Sequence, residues 1–298
     1  MAILYTSGST GKPKGRGAVP PQHGGRRQER GLVPRKPAHR HLAGGAALSF
    51  DAGFSQLTTA FHAGARVVLL NYLMPRDVLK AMAREQVTGL TAVPPLYIQL
   101  AALDWPAAIN ENLRYFANTG GRMPRETLTM LAPARAGARP FLMYGLTEAF
   151  RSTYLPPDEV DRRPDSIGKA IPNAEILVLR EDGTGVRADE PGELVHRGAL
   201  VGQGYWNDAE KTAERYKLLP GRARGPDAAP EYAVFWGDNV RRDAEGFLLH
   251  RAPRRDDEDS GLPREPYRGG RNSLRHQAGG RVRGLLVWST AIAARPSR

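Results

Sequence analysis

The chain has 298 residues, of which 41% are hydrophobic and none is cysteine, and its formal net charge is +12. That hydrophobic content is sufficient for a folded core, and the lack of cysteine excludes disulfides, thiolate metal sites and a cysteine nucleophile. No apolar run approaches the roughly 20 residues that a membrane helix needs. The residues after Met1 lack the basic start of a signal peptide, so we expect a cytoplasmic protein without a membrane span.

The excess charge is confined to two stretches. Residues 16–42 hold seven Lys or Arg and one Glu, residues 248–298 hold eleven Arg and five acidic residues, and the remainder carries 25 basic and 25 acidic residues. Both stretches lack a helical or strand period and predict loop or disorder. A nucleic-acid binder would interleave basic with aromatic residues or place them on one helix face. Residues 16–42 contain no Phe, Tyr or Trp, so we expect no nucleic-acid partner.

The first regular elements alternate between strand and helix. Ala65–Tyr72 has the pattern of a buried strand, and Met74–Gln86 predicts a helix with Pro75 in its first turn. Thr91–Val93 resembles the end of a strand, and Pro124–Leu131 predicts a second short helix. This alternation indicates an α/β sheet with parallel strands.

The pattern changes to β structure after residue 170. Ala174–Leu179, Gly192–His196 and Tyr232–Phe235 are short strand patterns separated by turns such as Asp182-Gly183, which predict a small β subdomain. The chain is therefore divided into a phosphate-binding loop at 1–15, an α/β subdomain at 43–170 and a β subdomain at 171–247, with 16–42 and 248–298 outside them.

The segment from Tyr5 to Gly15, YTSGSTGKPKG, is rich in glycine, hydroxyls and lysine. Backbone N–H groups and hydroxyls of such a loop can donate to phosphate oxygens, and Lys12 and Lys14 add positive charge. It is not the nucleoside-triphosphatase P-loop, which leads directly into a helix, because Pro13 blocks immediate helix entry. The alternative interpretation is a flexible Gly/Ser loop.

Five motifs in order carry a resemblance to the AMP-forming acyl-CoA ligase and adenylation superfamily. They are the phosphate loop, Asn118-Thr-Gly-Gly-Arg122, Tyr144-Gly-Leu-Thr-Glu148, Gly192-Glu-Leu-Val-His-Arg-Gly198 with Gly204-Tyr-Trp-Asn207, and Trp236-Gly-Asp238 with Arg242-Asp-Ala-Glu-Gly246. The amino-acid sequences of two segments, Ser49–Leu70 and Phe141–Pro157, are most similar to those of acyl-CoA ligases associated with bacterial exosortase A systems.

The resemblance implies an α/β fold: an incomplete large N-terminal domain of adenylate-forming enzymes together with a small distorted β subdomain. It also implies two half-reactions, in which a small-molecule carboxylic acid attacks the α-phosphate of ATP with Mg²⁺ present, and coenzyme A then takes the acyl group as co-substrate. A carrier-protein-linked adenylation domain is the alternative within the superfamily.

The resemblance also implies roles for individual residues. Glu148 would be the Mg²⁺ ligand, and Lys14, Thr147 and Glu148 would be catalytic. The residues expected to bind ATP are Thr6, Ser7, Gly8, Ser9, Thr10, Gly11, Lys12, Gly120, Gly121, Arg122, Tyr144, Gly145 and Asp238. In this scheme the Tyr144 ring lies along the adenine, and the Asp238 carboxylate accepts hydrogen bonds from both ribose hydroxyls.

Each of these residues also has a plainer interpretation. Glu148 could be a solvated helix residue, Asp238 a turn residue, and Tyr144 part of the core. Phe50, Phe54 and Phe61 are candidates for an acyl-pocket wall, although strand-end core is an equal alternative. We expect His62 and His196 to be structural.

A one-base shift of the reading frame offers an explanation for both basic stretches. Shifted codons for residues 16–41 permit a string beginning VVLSHRN, as the superfamily has after its phosphate loop, and the same shift from Leu248 permits YFIGRRDE and then GYR. We therefore infer that 16–42 and 248–298 are out-of-frame translation. On this hypothesis the chain is a fragment that starts at the phosphate loop, lacks the hinge and the C-terminal catalytic lysine, and is inactive alone.

Overall fold

The structure is a computed structural model that describes residues 51–131, 137–219 and 231–250 in full, and the backbone of 2–6, 14–18 and 41–44. Strands β1 (Ala2–Thr6) and β2 (Lys14–Ala18) form an antiparallel pair in which Thr6 lies opposite Lys14. The other described strands belong to one larger sheet.

One half of this sheet, the parallel part, consists of five strands and the helices between them. The strands follow the spatial order β4-β3-β5-β6-β7 and all pair in parallel. Its elements are β3 (His41–Gly44), α1 (Asp51–His62), β4 (Arg66–Leu69), α2 (Pro75–Arg84), β5 (Gly89–Ala92), α3 (Pro94–Ala101), α4 (Ala107–Asn112), β6 (Tyr115–Asn118), α5 (Arg125–Leu131) and β7 (Arg139–Leu146).

Helix α2 shows why these residues adopt this structure. Pro75 occupies the first turn, where no backbone N–H is missed, and the Met74 N–H donates to the Asp77 carboxylate at 3.1 Å. Its buried residues recur at helical spacing and include Leu79 and Met82. They pack into the main core of the parallel part, so the helix is held by one apolar face.

The main core also contains one buried polar contact that ties strands to a helix. Tyr97 of α3 is fully buried, and its hydroxyl lies 3.1 Å from the Leu90 carbonyl oxygen and 2.9 Å from that of Ala117. Burial is the main cause that raises the pKa of Tyr97 well above its ordinary value. The phenol therefore stays protonated, and its single O–H lies within hydrogen-bond distance of carbonyls on two neighbouring strands.

The second half of the sheet, the antiparallel part, begins after β7 and follows the order β8-β9-β14-β13-β11-β10, with β12 paired to β13. Its elements are β8 (Phe150–Leu155), a 3₁₀ turn (Pro157–Glu159), β9 (Ser166–Ala170), β10 (Ala174–Leu179), β11 (Pro191–Gly198), α6 (Ala209–Arg215), β12 (Tyr216–Leu218), β13 (Tyr232–Arg242) and β14 (Leu248–His250). A second core, which includes Val178, Leu194 and Val234, packs against this part.

The α/β fold class and most of the predicted elements are confirmed. The predicted helices correspond to α2 and α5, and the predicted β strands correspond to β5, β10, β11 and β13. The proposed boundary near residue 170 stays a prediction: β9 pairs with β8 on one side and β14 on the other, so the sheet is continuous across it.

The loop predictions for the two basic stretches are wrong at their edges. Residues 16–18 extend β2 and residues 41–42 open β3, while 19–40 lie outside the described residues. Leu248–His250 form β14, whose ladder joins β13 to β9, and Leu248 is only 1% exposed. Main-chain hydrogen bonds to neighbouring strands form these strands despite weak local β patterns.

The predicted buried strand at residues 65–72 is also corrected. The observed strand β4 covers only Arg66–Leu69 and is the end strand of the described sheet. Leu69 is 62% exposed. A continuous apolar run does not reveal whether a strand lies at the centre or the edge of a sheet.

Candidate functional site

The Gly-Gly turn lies directly after the parallel strand β6. Asn118, which ends this strand, is 2% exposed; its amide Nδ2 donates to the Gly121 carbonyl at 2.7 Å, and its Oδ1 accepts from the Met143 N–H at 2.9 Å. Gly120 has φ +72°, and a Cβ on Gly121 would lie 3.3 Å from Pro94. One buried amide thus joins the turn to strand β7 at the carboxyl end of the parallel strands, where ligands bind in open α/β sheets.

A tight turn connects β7 to β8. Strand β7 ends at Leu146 and β8 begins at Phe150, with residues 147–149 between them. A Cβ on Gly145 would lie 2.2 Å from the Phe150 carbonyl oxygen, and Phe150 itself has φ +65°. A bulky residue at positive φ is strained. The packing around the turn must therefore hold the Phe150 backbone in this conformation.

Tyr144 and Asp238 meet across the two halves of the sheet. The Tyr144 hydroxyl donates a short hydrogen bond to Asp238 Oδ2, and its ring stacks on Trp236 with centroids 4.8 Å apart and an interplanar angle of 20°. Burial, and then the Asp238 carboxylate, raises the pKa of Tyr144. The phenol is therefore a hydrogen-bond donor, and Asp238 is a charged acceptor at the same place.

Tyr144 borders a cleft with a volume of about 180 Å³. It is lined by Gly120, Gly121, Arg122, Met123, Leu142, Met143, Tyr144, Gly145, Pro164, Asp165, Ser166, Ile167 and His250. Five of the predicted nucleotide-binding residues therefore lie at one cleft, and Asp238 is hydrogen-bonded to one of them, Tyr144.

Sequence reasoning missed His250, which it placed in the tail. The imidazole packs edge-on to the Tyr144 ring with centroids 5.0 Å apart. Partial burial of the imidazole lowers the pKa of His250, the Asp238 carboxylate opposes this shift, and the Arg122 charge adds to it. Nothing in the local sequence marks this residue, because its place depends on the pairing of β14 with β9 and β13.

Arg122 is held at the mouth of the cleft by a carboxylate. Asp165 accepts hydrogen bonds from both Arg122 and Arg125, which lie on the turn after β6 and on α5. All three side chains are more than half exposed, so the ion pairs orient the guanidinium groups but contribute little to stability. Asp165 lies 43 residues from Arg122, and sequence spacing offered no signal for the pair.

Glu148 is half-buried in the turn after β7 and accepts hydrogen bonds from residues of the antiparallel part. The Tyr205 hydroxyl donates to Glu148 Oε1, the Gly202 N–H donates to the Glu148 carbonyl at 2.9 Å, and the Tyr216 hydroxyl lies 3.5 Å from the same carbonyl. Burial, and then this carboxylate, raises the pKa of Tyr205. Thr147, the other predicted residue of this turn, is also half-buried. Tyr205 belongs to the GYW motif, which was the available signal for it.

The remaining predicted residues are only partly covered. The pairing of Thr6 with Lys14 places both at the mouth of the loop between β1 and β2. The rest of the loop (Ser7, Gly8, Ser9, Thr10, Gly11 and Lys12) lies outside the described residues, as does Phe50. Phe54 is half-buried on α1, whereas Phe61 is 70% exposed.

Comparison with known proteins identifies the family. The model of the family described as AMP-binding enzyme matches residues 1–206. The chain belongs to this family. Indoleacetate–CoA ligase of Aromatoleum aromaticum is 29% identical over 260 residues, which are 83% of this chain and 46% of that ligase. A linear gramicidin synthase of Brevibacillus parabrevis is 30% identical over 252 residues, which are 83% of this chain and 3% of that protein.

Solved structures agree with the fold. The o-succinylbenzoate coenzyme A synthetase of Bacillus subtilis, in complex with ATP and magnesium ion, matches 87% of this chain with a TM-score of 0.72 and 26% identity. The N-terminal domain of FACL13 from Mycobacterium tuberculosis matches 85% with a TM-score of 0.72 and 21% identity. The chain covers 51% of the first and 60% of the second. No helix within the described residues is long and apolar enough to span a membrane.

Proposed function

We propose that this chain carries the nucleotide-binding part of an ATP-dependent ligase that activates a carboxylic acid as acyl-AMP and transfers it to coenzyme A. The observation that carries the proposal is that Tyr144 and the Gly120-Gly121 turn line one cleft and that Asp238 is hydrogen-bonded to Tyr144, while the turn after β7 carries Glu148. The cytoplasm is the proposed compartment.

The proposed roles follow the chemistry of each group. The Tyr144 ring and the Gly-Gly turn receive the adenine, and Asp238 accepts the ribose hydroxyls, for which its carboxylate has acceptor capacity beyond the bond from Tyr144. The hydroxyls and lysines of the phosphate loop, with Thr147, receive the phosphates. Arg122, held by Asp165, adds positive charge at the cleft mouth.

Glu148 is the proposed Mg²⁺ ligand. No group of three or more His, Cys, Asp or Glu residues in the described chain is placed to hold a metal. Mg²⁺ that is bound together with nucleotide phosphates needs only one or two carboxylates. Glu148 fits, because Oε1 accepts from Tyr205 while Oε2 has no hydrogen-bond partner among the described residues. Bound Mg²⁺ would neutralise phosphate charge, and Glu148 would orient it.

In the proposed reaction the substrate carboxylate attacks the α-phosphate in line and pyrophosphate leaves. A thiol then attacks the acyl carbon of the acyl-adenylate, AMP leaves with the electron pair of the acyl–phosphate bond, and the thiol proton passes to solvent. The contribution of the protein to the first step is positioning and charge neutralisation. A carrier-protein thiol is the second candidate acceptor, favoured by the match to the linear gramicidin synthase.

We further propose that the chain binds adenosine nucleotide but does not complete the reaction alone, because residues 16–42 and 248–298 are out-of-frame translation. The relationship to exosortase-associated ligases belongs to the same proposal. Sequencing the coding DNA tests the proposed frameshifts. We expect one-base insertions or deletions near codons 15, 43 and 247. A coding sequence in which no one-base change near these codons can account for the two stretches contradicts the proposal.

The binding experiment is titration calorimetry with AMP on the full chain. Asp238→Ala removes a charged acceptor and is expected to weaken AMP binding at least about 10-fold. Asp161→Ala, at an exposed carboxylate that does not line the cleft, is the control and should bind like the parent chain. Equal affinities of the three proteins would refute the assignment. Clear ATP–pyrophosphate exchange by the purified chain would refute the proposed inactivity.

A further inference from the structure

One short segment of the antiparallel part holds Glu148 at both its backbone and its side chain. Gly202 N–H donates to the Glu148 carbonyl at 2.9 Å, and three residues further on the Tyr205 hydroxyl donates to Oε1. The two contacts approach from the same loop, so the carboxylate cannot rotate freely while its main chain stays in place.

Tyr205 is itself fixed by its neighbours. Its N–H donates to Thr212 Oγ1 at 2.9 Å, and this hydroxyl donates to the Asp208 carbonyl at 2.7 Å. Its ring packs edge-on to Tyr216, with centroids 5.8 Å apart and an angle of 86°. Gly204 has φ +111°, and a Cβ there would lie 2.6 Å from the Thr212 side chain. These contacts with Thr212 and Tyr216 orient the Tyr205 phenol towards Glu148.

A hydrogen-bonded Glu148 has one oxygen engaged and one oxygen open. The phenol has a single proton, which Oε1 accepts, and within the described residues Oε2 is left with no partner. Fixing a long carboxylate side chain in advance removes the rotamer entropy that a cation would otherwise have to overcome. Mutating a residue that hydrogen-bonds to a metal ligand typically weakens metal binding about 10- to 100-fold.

We propose that Tyr205 is a positioning residue that holds the Glu148 carboxylate in the orientation required by a nucleotide-bound divalent cation. The proposal rests on the proposed function, in which Glu148 is the cation ligand. Tyr205 touches neither nucleotide nor cation in this scheme and acts through Glu148 alone.

The test is Tyr205→Phe in the full chain, with ATP binding measured by calorimetry as Mg²⁺ is titrated, and AMP binding measured without metal. The Mg²⁺ concentration at half-effect is expected to rise about 10-fold, while AMP affinity stays unchanged. Tyr232→Phe, at a 51% exposed tyrosine of the same part of the fold, is the matched control and should leave both values unchanged.

A second variant separates this proposal from the proposed function. Glu148→Gln is expected to remove the Mg²⁺ effect, and the double variant Glu148→Gln with Tyr205→Phe should be no worse than Glu148→Gln alone. If Glu148→Gln removes the effect but Tyr205→Phe changes nothing, or weakens AMP and Mg²⁺·ATP binding equally, the positioning role is overturned. A Glu148→Gln variant that responds normally to Mg²⁺, or a parent chain that binds neither nucleotide, overturns the proposed function and the positioning role together.

Discussion

The two halves of the sheet contribute to the candidate site in different ways. The parallel part supplies two backbone features, a Gly-Gly turn fixed by the buried Asn118 and a strand end where only Gly145 fits, together with the Tyr144 side chain of β7. The antiparallel part supplies side chains that reach across: Asp238 to Tyr144 and Tyr205 to Glu148. Substitutions in the first group should therefore affect folding, whereas substitutions in the second should affect binding and local charge.

The strongest test of this contrast is Gly145→Ala. Its Cβ would lie 2.2 Å from the Phe150 carbonyl oxygen, so the β7–β8 turn must shift, and we expect the free energy of unfolding to fall by about 3 kcal/mol. Gly185→Ala is the control, since no atom lies within 4 Å of its Cβ position. Urea denaturation measures both. Equal stability of the two variants would remove the argument for an obligatory glycine.

Asn118→Ala should have the next largest effect. It leaves the Met143 N–H and the Gly121 carbonyl without their side-chain partner, at a cost of about 2 kcal/mol in the free energy of unfolding. Asn239→Ala, at an exposed position of β13, should stay within about 0.5 kcal/mol of the parent chain. A loss at Asn239 as large as that at Asn118 would contradict the division between the two halves.

In the antiparallel part, His250 should make stability depend on pH. Partial burial of the imidazole lowers its pKa in the folded state below its ordinary value of 6.5, while part of the residue stays exposed to solvent. The unfolded chain therefore binds the proton first, and stability falls as pH decreases through 6.5 toward the folded pKa. His250→Gln should reduce the loss of melting temperature between about pH 7 and pH 5. An unchanged loss would show that the imidazole is solvated.

The smallest expected effect is on the surface of the antiparallel part. Hydrogen bonds from Arg180, and then from the Arg187 N–H, lower the pKa of Glu190 to about 2. This carboxylate contributes stability above its ordinary pKa of 4.5 that is lost as pH falls toward 2. Arg180→Gln should move the pKa of Glu190 back toward 4.5, measured by carboxyl NMR titration. A pKa that stays near 2 would assign the shift to the backbone donor.

The sequence predicted those elements whose signals are local. The helix at Met74–Gln86 shows Pro75 at its start and an apolar face with a helical period, and both hold in the structure. The turn at Asp182-Gly183 and the strand at Ala174–Leu179 are likewise marked by local signals, an Asp-Gly pair and a short apolar run. Similarly, the motifs located the Gly-Gly turn, Tyr144 and Asp238 because each lies within a few adjacent residues.

What remained hidden depends on pairing between distant segments. Strand β14 is only three residues long and exists because β9 and β13 flank it. Tyr205 lies 57 residues from Glu148, and Asp165 lies 43 residues from Arg122. No local propensity encodes such separations, so the contacts that aim the site's charged groups had to be read from the fold.

The stacked pair of Tyr144 and Trp236 gives the molecule an optical property. Trp236 is 6% exposed and lies flat against the tyrosine proposed to receive the adenine, whereas Trp206 is 55% exposed. An adenine that packs on the Tyr144 ring is expected to alter the surroundings of the Trp236 indole more than those of Trp206. Trp236 is therefore an intrinsic fluorophore beside the proposed nucleotide site, and the other three tryptophans of the sequence form the background against which its change is measured.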